Sequence, residues 1–216
     1  MKRSPGSDAE VLARGDGVAA DLLAWLAPLR FAEAATEQER EAAYRLRYRA
    51  VLDEGMEDPA RFPDGIERDE FDPDAVQLLG WDEAGPIATC RLVFPSPRRS
   101  LPYEGVFGPA SQAAGPMVEW GRVTVDPRLR GEGGRIFMGL AARGWLSMRS
   151  RGLTTAIGVT PERLVLLFRA LGFPVIVLGA PRVHWGVERV PILCRGAAAV
   201  QALEHLWQSR HEPPAP

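Results

Sequence analysis

Apolar positions along the chain recur at spacings that are typical of helices in some stretches and of strands in others. From Thr36, whose spacing to Glu39 is that of a capping box, apolar residues recur at helical intervals. Two later stretches show the same spacing and end at a glycine, as many helices do. The sequence therefore predicts helices over residues 36–52, 134–149 and 163–171.

Runs rich in β-branched and aromatic residues predict the strands. Residues 76–81 and 87–94 flank a turn that contains glycine, which predicts a β-hairpin. Other strands are expected at residues 30–35, 117–125, 153–159, 174–178 and 189–194. Strands that form a meander first and then alternate with helices predict an α/β (α+β) fold, with a central mixed, largely antiparallel sheet covered by helices.

Length and composition favour a single domain with flexible ends. The chain has 216 residues, of which 46% are hydrophobic, enough for one sizeable core. Residues 1–18 lack periodicity and residues 211–216 are rich in proline, so both are predicted to be flexible. The domain is expected to span residues 19–210. Its first stretch, residues 19–29, is too short to cross a bilayer, and no transmembrane segment is predicted.

Charge and cysteine usage exclude several classes of function. The formal net charge is −2 and basic residues do not cluster, so a nucleic-acid partner is not expected. A polar stretch follows Lys2 and Arg3, where a signal peptide would be apolar. Cys90 and Cys194 lie singly in apolar runs, which predicts reduced cysteines, no metal site and a cytoplasmic protein.

A glycine-rich loop follows the strand at residues 117–125 and leads into a predicted helix. Glycines let backbone amides approach a ligand, and a helix N-terminus attracts anions, so the loop suits a phosphate or pyrophosphate. The alternative is an ordinary solvated turn. The residues that define the loop are Arg128, Arg130, Gly131, Gly133 and Gly134.

The pattern Arg128-x-x-Gly131-x-Gly133 resembles the acyl-CoA pyrophosphate loop of the GCN5-related N-acetyltransferases (GNAT). The resemblance implies a GNAT-like acyl-CoA N-acyltransferase fold in which two splayed strands admit the pantetheine arm. It also implies that Val123 and Val125, on the preceding strand, contact the donor together with the loop. An amine would attack the thioester directly, so the enzyme's tasks are alignment, oxyanion stabilisation and removal of one proton.

The motifs Leu46-Arg47-Tyr48-Arg49, Cys90-Arg91-Leu92 and Glu119-Trp-Gly-Arg122 follow one another along the chain. In this order they resemble, over residues 31–190, the autoinducer (acyl-homoserine-lactone) synthases and the N-acyl amino acid synthases. The resemblance implies an acceptor site for an amino-acid-like amine and Glu119 as the catalytic base, directly or through water. Carboxylates would hold the ammonium and arginines the carboxylate or lactone oxygen. The residues that carry this resemblance and the predicted acceptor site are Arg47, Asp69, Asp72, Arg91, Glu119 and Arg122.

Each of these residues also has a structural interpretation. Asp69 and Asp72 suit turn capping, and Arg47 and Arg91 suit ion pairs. Glu119 could pair with an arginine. Because side chains alternate along a strand, Glu119 and Arg122 can serve one site only if the strand is bulged or the sheet is open there.

The sequence thus predicts an enzyme that transfers an acyl group from acyl-CoA or acyl carrier protein to a small amino-acid-derived amine, with no permanently bound cofactor. The first hypothesis is an autoinducer synthase that uses S-adenosylmethionine and serves quorum sensing. The alternatives are an N-acyl amino acid synthase, a general GNAT acetyltransferase and a non-catalytic acyl-thioester sensor. Glu57 lies near where autoinducer synthases usually have Trp, and Gly121 stands where they have Ser. Both differences bear on S-adenosylmethionine recognition. The clear phosphate loop, in turn, favours acyl-CoA as the donor.

Overall fold

The computed structural model describes residues 7–109 and 115–209. Within these residues an eight-stranded sheet is covered by helices. The helices are α1 (Asp8–Trp25), α2 (Glu37–Glu54), α3 (Glu104–Phe107), α4 (Gly133–Arg149), α5 (Glu162–Ala170) and α6 (Gly196–Ser209). The strands are β1 (Arg30–Glu33), β2 (Val76–Asp82), β3 (Gly85–Val93), β4 (Val118–Val125), β5 (Ala156–Pro161), β6 (Ile176–Val177), β7 (Arg182–His184) and β8 (Val187–Cys194).

The strand order is β1-β2-β3-β4-β5-β8-β6, with β7 also paired to β8. Neighbouring strands are antiparallel except β4 and β5, which are parallel. The predicted mixed, largely antiparallel sheet is therefore confirmed. The predicted hairpin is β2–β3, and Thr36 and Glu39 form the predicted capping box at the start of α2.

The two faces of the sheet carry different layers, because side chains alternate along each strand. On β2, Leu78 belongs to the core beneath α4, whereas Leu79 packs with Ala43 and Leu46 of α2. On β3, Cys90 lies on the α4 side. Its neighbours along that strand therefore point toward α2, the side on which the charged residues gather.

Helix α1 corrects the prediction of a flexible segment over residues 1–18. Residues 8–18 are helical, with a Ser7–Glu10 capping box, and α1 packs against α4 and α6. The small residues Gly15 and Ala19 are buried in this contact, and Asp16 accepts a hydrogen bond of 2.8 Å from Trp145 Nε1. Leu22 is buried in the same contact, and Val11, Leu12 and Val18 pack around it. Residues 1–6 and 211–216 lie outside the described residues.

Other differences concern the second half of the chain. The strand predicted over residues 174–178 is reduced to the two residues of β6, and β5 begins three residues later than predicted, at Ala156. Strand β7 and helix α6 were not predicted. Helix α6 is rich in alanine, and its buried face became evident only from its packing on α1 and α4.

Two glycines of α1 provide a matched test of its docking. A Cβ at Gly15 would lie 2.5 Å from Cγ2 of Val200 and 3.1 Å from the Trp145 ring, whereas a Cβ at Gly17 would meet nothing within 4 Å. Gly15→Ala should lower the free energy of unfolding by about 1–3 kcal/mol through overpacking. Gly17→Ala should raise it by up to about 1 kcal/mol through helix propensity. Urea unfolding measures both, and equal effects would mean that α1 does not dock as described.

Candidate active site

The candidate site is built around a buried guanidinium. Arg47, on α2, is 2% exposed and bonds Asp72 through both terminal nitrogens, at 2.7 and 2.9 Å. Its Nε donates to Glu67, and Nη1 also lies 3.3 Å from the side-chain oxygen of Gln77. All three nitrogens of the Arg47 guanidinium are therefore hydrogen-bonded, and these bonds tie the loop that follows α2 to the sheet.

Two more arginines extend this network toward β4. Arg91, on β3, donates to Asp69 at 2.6 Å and to Asp72 at 3.2 Å. Arg122, on β4, donates to Glu67 at 3.2 Å and to Asp69 at 3.1 Å. Three guanidinium groups thus face three carboxylates, so the charges of this buried cluster balance.

The pKa shifts follow from this pairing. Burial alone would raise the pKa of Asp72, but hydrogen bonds and charge from Arg47, with the charge of Arg91, outweigh it and lower the pKa. Burial alone would lower the pKa of Arg47, yet its bonds to Asp72 and Glu67 raise it. Both groups therefore remain ionised over the physiological pH range.

Strand β4 has a β-bulge at the centre of the site. Between the pairs Thr89–Thr124 and Arg91–Gly121, β3 has one residue and β4 has two. One of the two, Arg122, has a positive φ of 55°, which is unusual for a residue other than glycine. The sequence predicted that Glu119 and Arg122 could share a site only if the strand is bulged or the sheet is open there, and the structure has the bulge.

The bulge explains how a charged residue avoids the apolar core. Trp120 points toward α4, where its ring lies in the space left by Gly144. Regular alternation would place Arg122 on that same apolar side. The extra residue instead turns Arg122 toward Glu67 and Asp69, on the side of the charged network.

Glu119 stands apart from the ion pairs. It is 8% exposed, and among the described residues it forms no salt bridge, although its Oε2 accepts a hydrogen bond of 2.7 Å from the Tyr103 backbone N–H. Burial raises the pKa of Glu119 to about 7, against the opposing effects of that bond and of the Arg91 and Arg122 charges. A carboxyl group with a pKa near 7 suits proton transfer at neutral pH.

Strands β4 and β5 diverge beside Glu119. They pair only at Val118 and Glu119, and β5 then continues along β8. Gly158, on β5, lies at this divergence, where a Cβ would be 2.6 Å from the Trp120 carbonyl oxygen. From Trp120 onward, the described strands leave one edge of β4 unpaired. An extended ligand could accept hydrogen bonds from this edge.

The predicted donor loop lies between β4 and α4. Pro127–Glu132 forms a 3₁₀ segment, and no side chain caps the N-terminus of α4. Arg128 is largely exposed and pairs with the buried Asp126 through Nε and Nη2, at 3.0 and 2.9 Å. The side chain of Arg130 lies outside what the structure describes.

The loop glycines are not required by packing within the protein. A Cβ at Gly131, Gly133 or Gly134 would meet nothing within 4 Å. The space beside them is therefore open to a ligand or to solvent. Donor contacts by Val123, Val125 and the loop residues remain predictions.

The structure brings together all six residues predicted for acceptor binding and catalysis, but gives them different surroundings. Arg47 and Arg91 are each 2% exposed, so their burial favours the ion-pair interpretation over direct contact with an acceptor. Asp69 and Arg122 are each 21% exposed. The predicted site residues omitted Glu67, Gln77 and Asp126, because acidic and amide residues in a polar loop or at a strand end carry no distinctive sequence signal.

A family comparison now identifies the chain. The profile described as N-acyl amino acid synthase FeeM matches residues 42–195, more than half of the chain and all of the charged network. The chain belongs to this family. It is therefore an N-acyltransferase, as the sequence predicted. No curated protein sequence matches it.

Solved structures support the fold of this family member. The CoA-dependent acyl-homoserine lactone synthase BjaI, solved with SAM and isopentyl-CoA, is 23% identical, with 83% of this chain and 85% of that chain covered and a TM-score of 0.63. FeeM, an N-acyl amino acid synthase from uncultured soil microbes, is 13% identical, with 77% and 91% covered and a TM-score of 0.58. The AHL synthase LasI is 14% identical, with 80% and 93% covered and a TM-score of 0.59. The predicted GNAT-like fold is confirmed.

Two further properties of the described residues bear on the sequence predictions. Cys90 and Cys194 are free thiols, and burial raises the pKa of both, to about 11 for Cys194. In the described part of the chain, every helix is too short or too polar to cross a bilayer.

Arg47→Lys tests the buried network. A lysine cannot bond Asp72 through two nitrogens and also reach Glu67, so the free energy of unfolding should fall by roughly 2–4 kcal/mol. Arg45→Lys is the matched control on the same helix, because the ion pair of Arg45 with Glu41 is exposed to solvent. Its effect in urea unfolding should stay within about 0.5 kcal/mol. Similar small effects for both variants would contradict a structural role for Arg47.

The raised pKa of Glu119 predicts opposite pH trends in stability and activity. Because the folded state binds this proton more tightly than the unfolded state, protonation of Glu119 stabilises the fold. The stabilisation is complete below the ordinary pKa of 4.5 and is lost as pH rises through about 7. The deprotonated form is the base, so the acylation rate should rise with pH through a limb centred near 7. Urea unfolding and the rate of acyl transfer, each measured from pH 5 to 9, check the two trends.

Gly121→Ser supplies the control for that limb. A Cβ at Gly121 would lie 4.0 Å from Oε1 of Glu119, so a serine hydroxyl can reach hydrogen-bond distance of the carboxylate. Such a bond favours the ionised form and lowers the pKa. The limb should therefore move to lower pH. An unmoved limb in this variant would show that another group titrates.

Proposed function

We propose that this chain transfers an acyl group from a carrier thioester to the α-amine of a small amino-acid acceptor. The observation that carries the proposal is the state of Glu119. It is a buried carboxyl with a pKa near 7 that lacks a salt bridge among the described residues, and it lies where β4 separates from β5. A structural carboxylate would be expected to be ion-paired, as Glu67, Asp69 and Asp72 are.

In the proposed reaction Glu119 removes a proton from the acceptor ammonium, directly or through a water molecule. The free amine then attacks the thioester carbonyl carbon and forms the carbon–nitrogen bond. The carbon–sulfur bond breaks, the proton left on the nitrogen passes to the departing sulfur, and the amide and the carrier thiol are released. Glu119 then returns its proton to solvent. A backbone N–H on the unpaired edge of β4, at Val123 or Val125, would stabilise the oxyanion. Because a thioester is already activated, these tasks suffice.

The acceptor would lie against the exposed end of the charged network. Arg122 retains one terminal nitrogen, Nη1, that makes no hydrogen bond to a described residue, so it is available to an acceptor carboxylate. Asp69, also 21% exposed, can contribute to ammonium binding. Arg47 and Arg91 act indirectly in this proposal, because they hold Asp69, Asp72 and Glu67 in place.

The donor would bind at the loop formed by Arg128, Arg130, Gly131, Gly133 and Gly134. The uncapped N-terminus of α4 and the open space beside the glycines suit a pyrophosphate, which acyl-CoA carries and the prosthetic group of acyl carrier protein does not. Acyl-CoA is therefore the first candidate donor and acyl carrier protein the second. BjaI, solved with isopentyl-CoA, has this fold.

A free amino acid is the favoured acceptor, because the matching family is that of N-acyl amino acid synthases. S-adenosylmethionine is the second candidate, since BjaI was solved with SAM and aligns with most of this chain. Only the second candidate would give a homoserine-lactone autoinducer and a role in quorum sensing. Either reaction would take place in the cytoplasm, where acyl-CoA and these acceptors are available.

Mass spectrometry of reaction products tests the proposal and its two acceptors. The purified chain is offered acyl-CoAs of several lengths or acyl carrier proteins, with either an amino-acid mixture or S-adenosylmethionine. An N-acyl amino acid is the expected product, and an acyl-homoserine lactone would select the second acceptor. No N-acyl product across the whole panel would reject the function.

Glu119→Gln separates an enzyme from an acyl-thioester sensor. The amide preserves size and can still accept the Tyr103 hydrogen bond, but it cannot take a proton from an ammonium. The turnover rate should fall by about 10²–10⁴-fold while acyl-CoA binding, measured by calorimetry, is retained. Glu70→Gln, an exposed site in the loop before β2, should leave turnover unchanged. Wild-type turnover in Glu119→Gln would remove Glu119 as the base.

A further inference from the structure

The turn between β7 and β8 contains a residue that turn geometry does not favour. His184 pairs with Val187, so Trp185 and Gly186 form a two-residue hairpin turn. Both have positive φ, 55° and 68°. Two-residue turns of this kind favour asparagine, aspartate or glycine at both positions, and a bulky side chain at positive φ is strained. Gly186 meets this requirement, whereas Trp185 does not.

The Trp185 side chain is directed at the candidate site. The guanidinium carbon of Arg122 lies 4.3 Å from the centroid of the indole, within the range of a cation–π contact. The indole is also stacked with Phe62, with ring centroids 6.5 Å apart, and Phe62 contacts Tyr48 of α2 edge-on. The tip of the hairpin therefore reaches the loop that carries the acidic residues of the network.

Backbone packing fixes the hairpin tip at this place. A Cβ at Gly186 would lie 3.1 Å from the carbonyl oxygen of Met56, so the turn approaches the segment after α2 closely. Trp185 is thereby held between Arg122 and Phe62. Its indole is half-buried rather than part of a core cluster.

Trp185 and Arg122 share an uncommon conformation. In residues 7–109 and 115–209 they are the two residues other than glycine with positive φ, and they contact each other, Arg122 from β4 and Trp185 from the β7–β8 turn. Strained backbone persists when the surrounding structure enforces it, and it concentrates at functional sites. The two side chains meet in one cation–π contact beside the charged network, where Arg122 also donates to Glu67 and Asp69.

We propose that Trp185 is a positioning and specificity residue for the acceptor amino acid. Its indole holds the Arg122 guanidinium, so that Nη1 faces the acceptor carboxylate, and its ring forms one wall of the acceptor site. This inference rests on the proposed function. It adds a residue from near the far end of the chain to a site whose other side chains come from α2, the following loop, β3 and β4.

The competing explanation is that Trp185 only anchors the hairpin by packing on Phe62. Trp185→Asn distinguishes the two, because asparagine is favoured in the turn but cannot hold a guanidinium through a ring face. Trp185→Phe keeps an aromatic face at a strained position. Val183→Thr is the matched control on the same hairpin, since Val183 is 73% exposed.

Steady-state kinetics of the purified chain are measured with the acyl-CoA and acceptor that the wild type uses. Trp185→Asn should raise the acceptor KM about tenfold or more, the size of a partly desolvated cation–π contact, and leave the acyl-CoA KM within about twofold. Its melting temperature should equal or exceed that of the wild type. Trp185→Phe should retain an acceptor KM within about threefold, and Val183→Thr should match the wild type.

A stability cycle with Trp185→Asn, Arg122→Gln and the double variant tests the contact without any activity. If the indole holds the guanidinium, the effect of the double variant on the unfolding equilibrium constant should differ about fivefold from the product of the two single effects. A factor of this size corresponds to one modest cation–π contact. Additive effects would overturn the positioning role. This holds even if the product panel finds no activity, so the inference and the proposed function fail separately.

Two further outcomes would overturn the inference. An unchanged acceptor KM in Trp185→Asn, with an active wild type, would show that the indole does not form the acceptor wall. A melting temperature that falls by several degrees in Trp185→Asn, together with a proportional loss of kcat at unchanged KM, would make Trp185 a packing residue of the hairpin.

Discussion

Removal of the Arg47 guanidinium from water is a cost that the surrounding structure must offset. At 2% exposure it needs bonds on every side, and Asp72, Glu67 and Gln77 provide them. These partners come from the loop after α2 and from β2, so the pairing fixes an otherwise polar loop against the sheet. Because Asp72 also bonds Arg91, the helix, the loop and the sheet are joined through one carboxylate.

The bulge in β4 links that network to the place where chemistry can occur. With regular alternation, Glu119 and Arg122 would lie on opposite faces, and Arg122 would enter the apolar layer beneath α4. One extra residue brings Arg122 to the charged side, while Glu119 is buried beside it without an ion pair among the described residues. The same strand therefore holds a fixed cation and a carboxyl that titrates near neutral pH.

The two halves of the site differ in how they are built. The proposed donor half is local, because one loop and the start of α4 follow directly on β4 in the sequence. The proposed acceptor half gathers side chains from distant segments, from Arg47 to Arg122 and, in our inference, to Trp185.

The sequence by itself determined the helix at Thr36, the β2–β3 hairpin, the glycine loop and the family, because capping, alternation and motif spacing are local properties. It also indicated that Glu119 and Arg122 can share a site only if β4 is bulged or the sheet is open there. Only the tertiary structure decided that the bulge exists, that every guanidinium nitrogen of Arg47 is hydrogen-bonded and that Trp185 contacts Arg122. Those outcomes depend on desolvation and on contacts between residues far apart in the chain, which no local pattern encodes. The start of helix α1 was missed for the same reason, since its docking is decided by contacts with α4 and α6, which are far away in the chain.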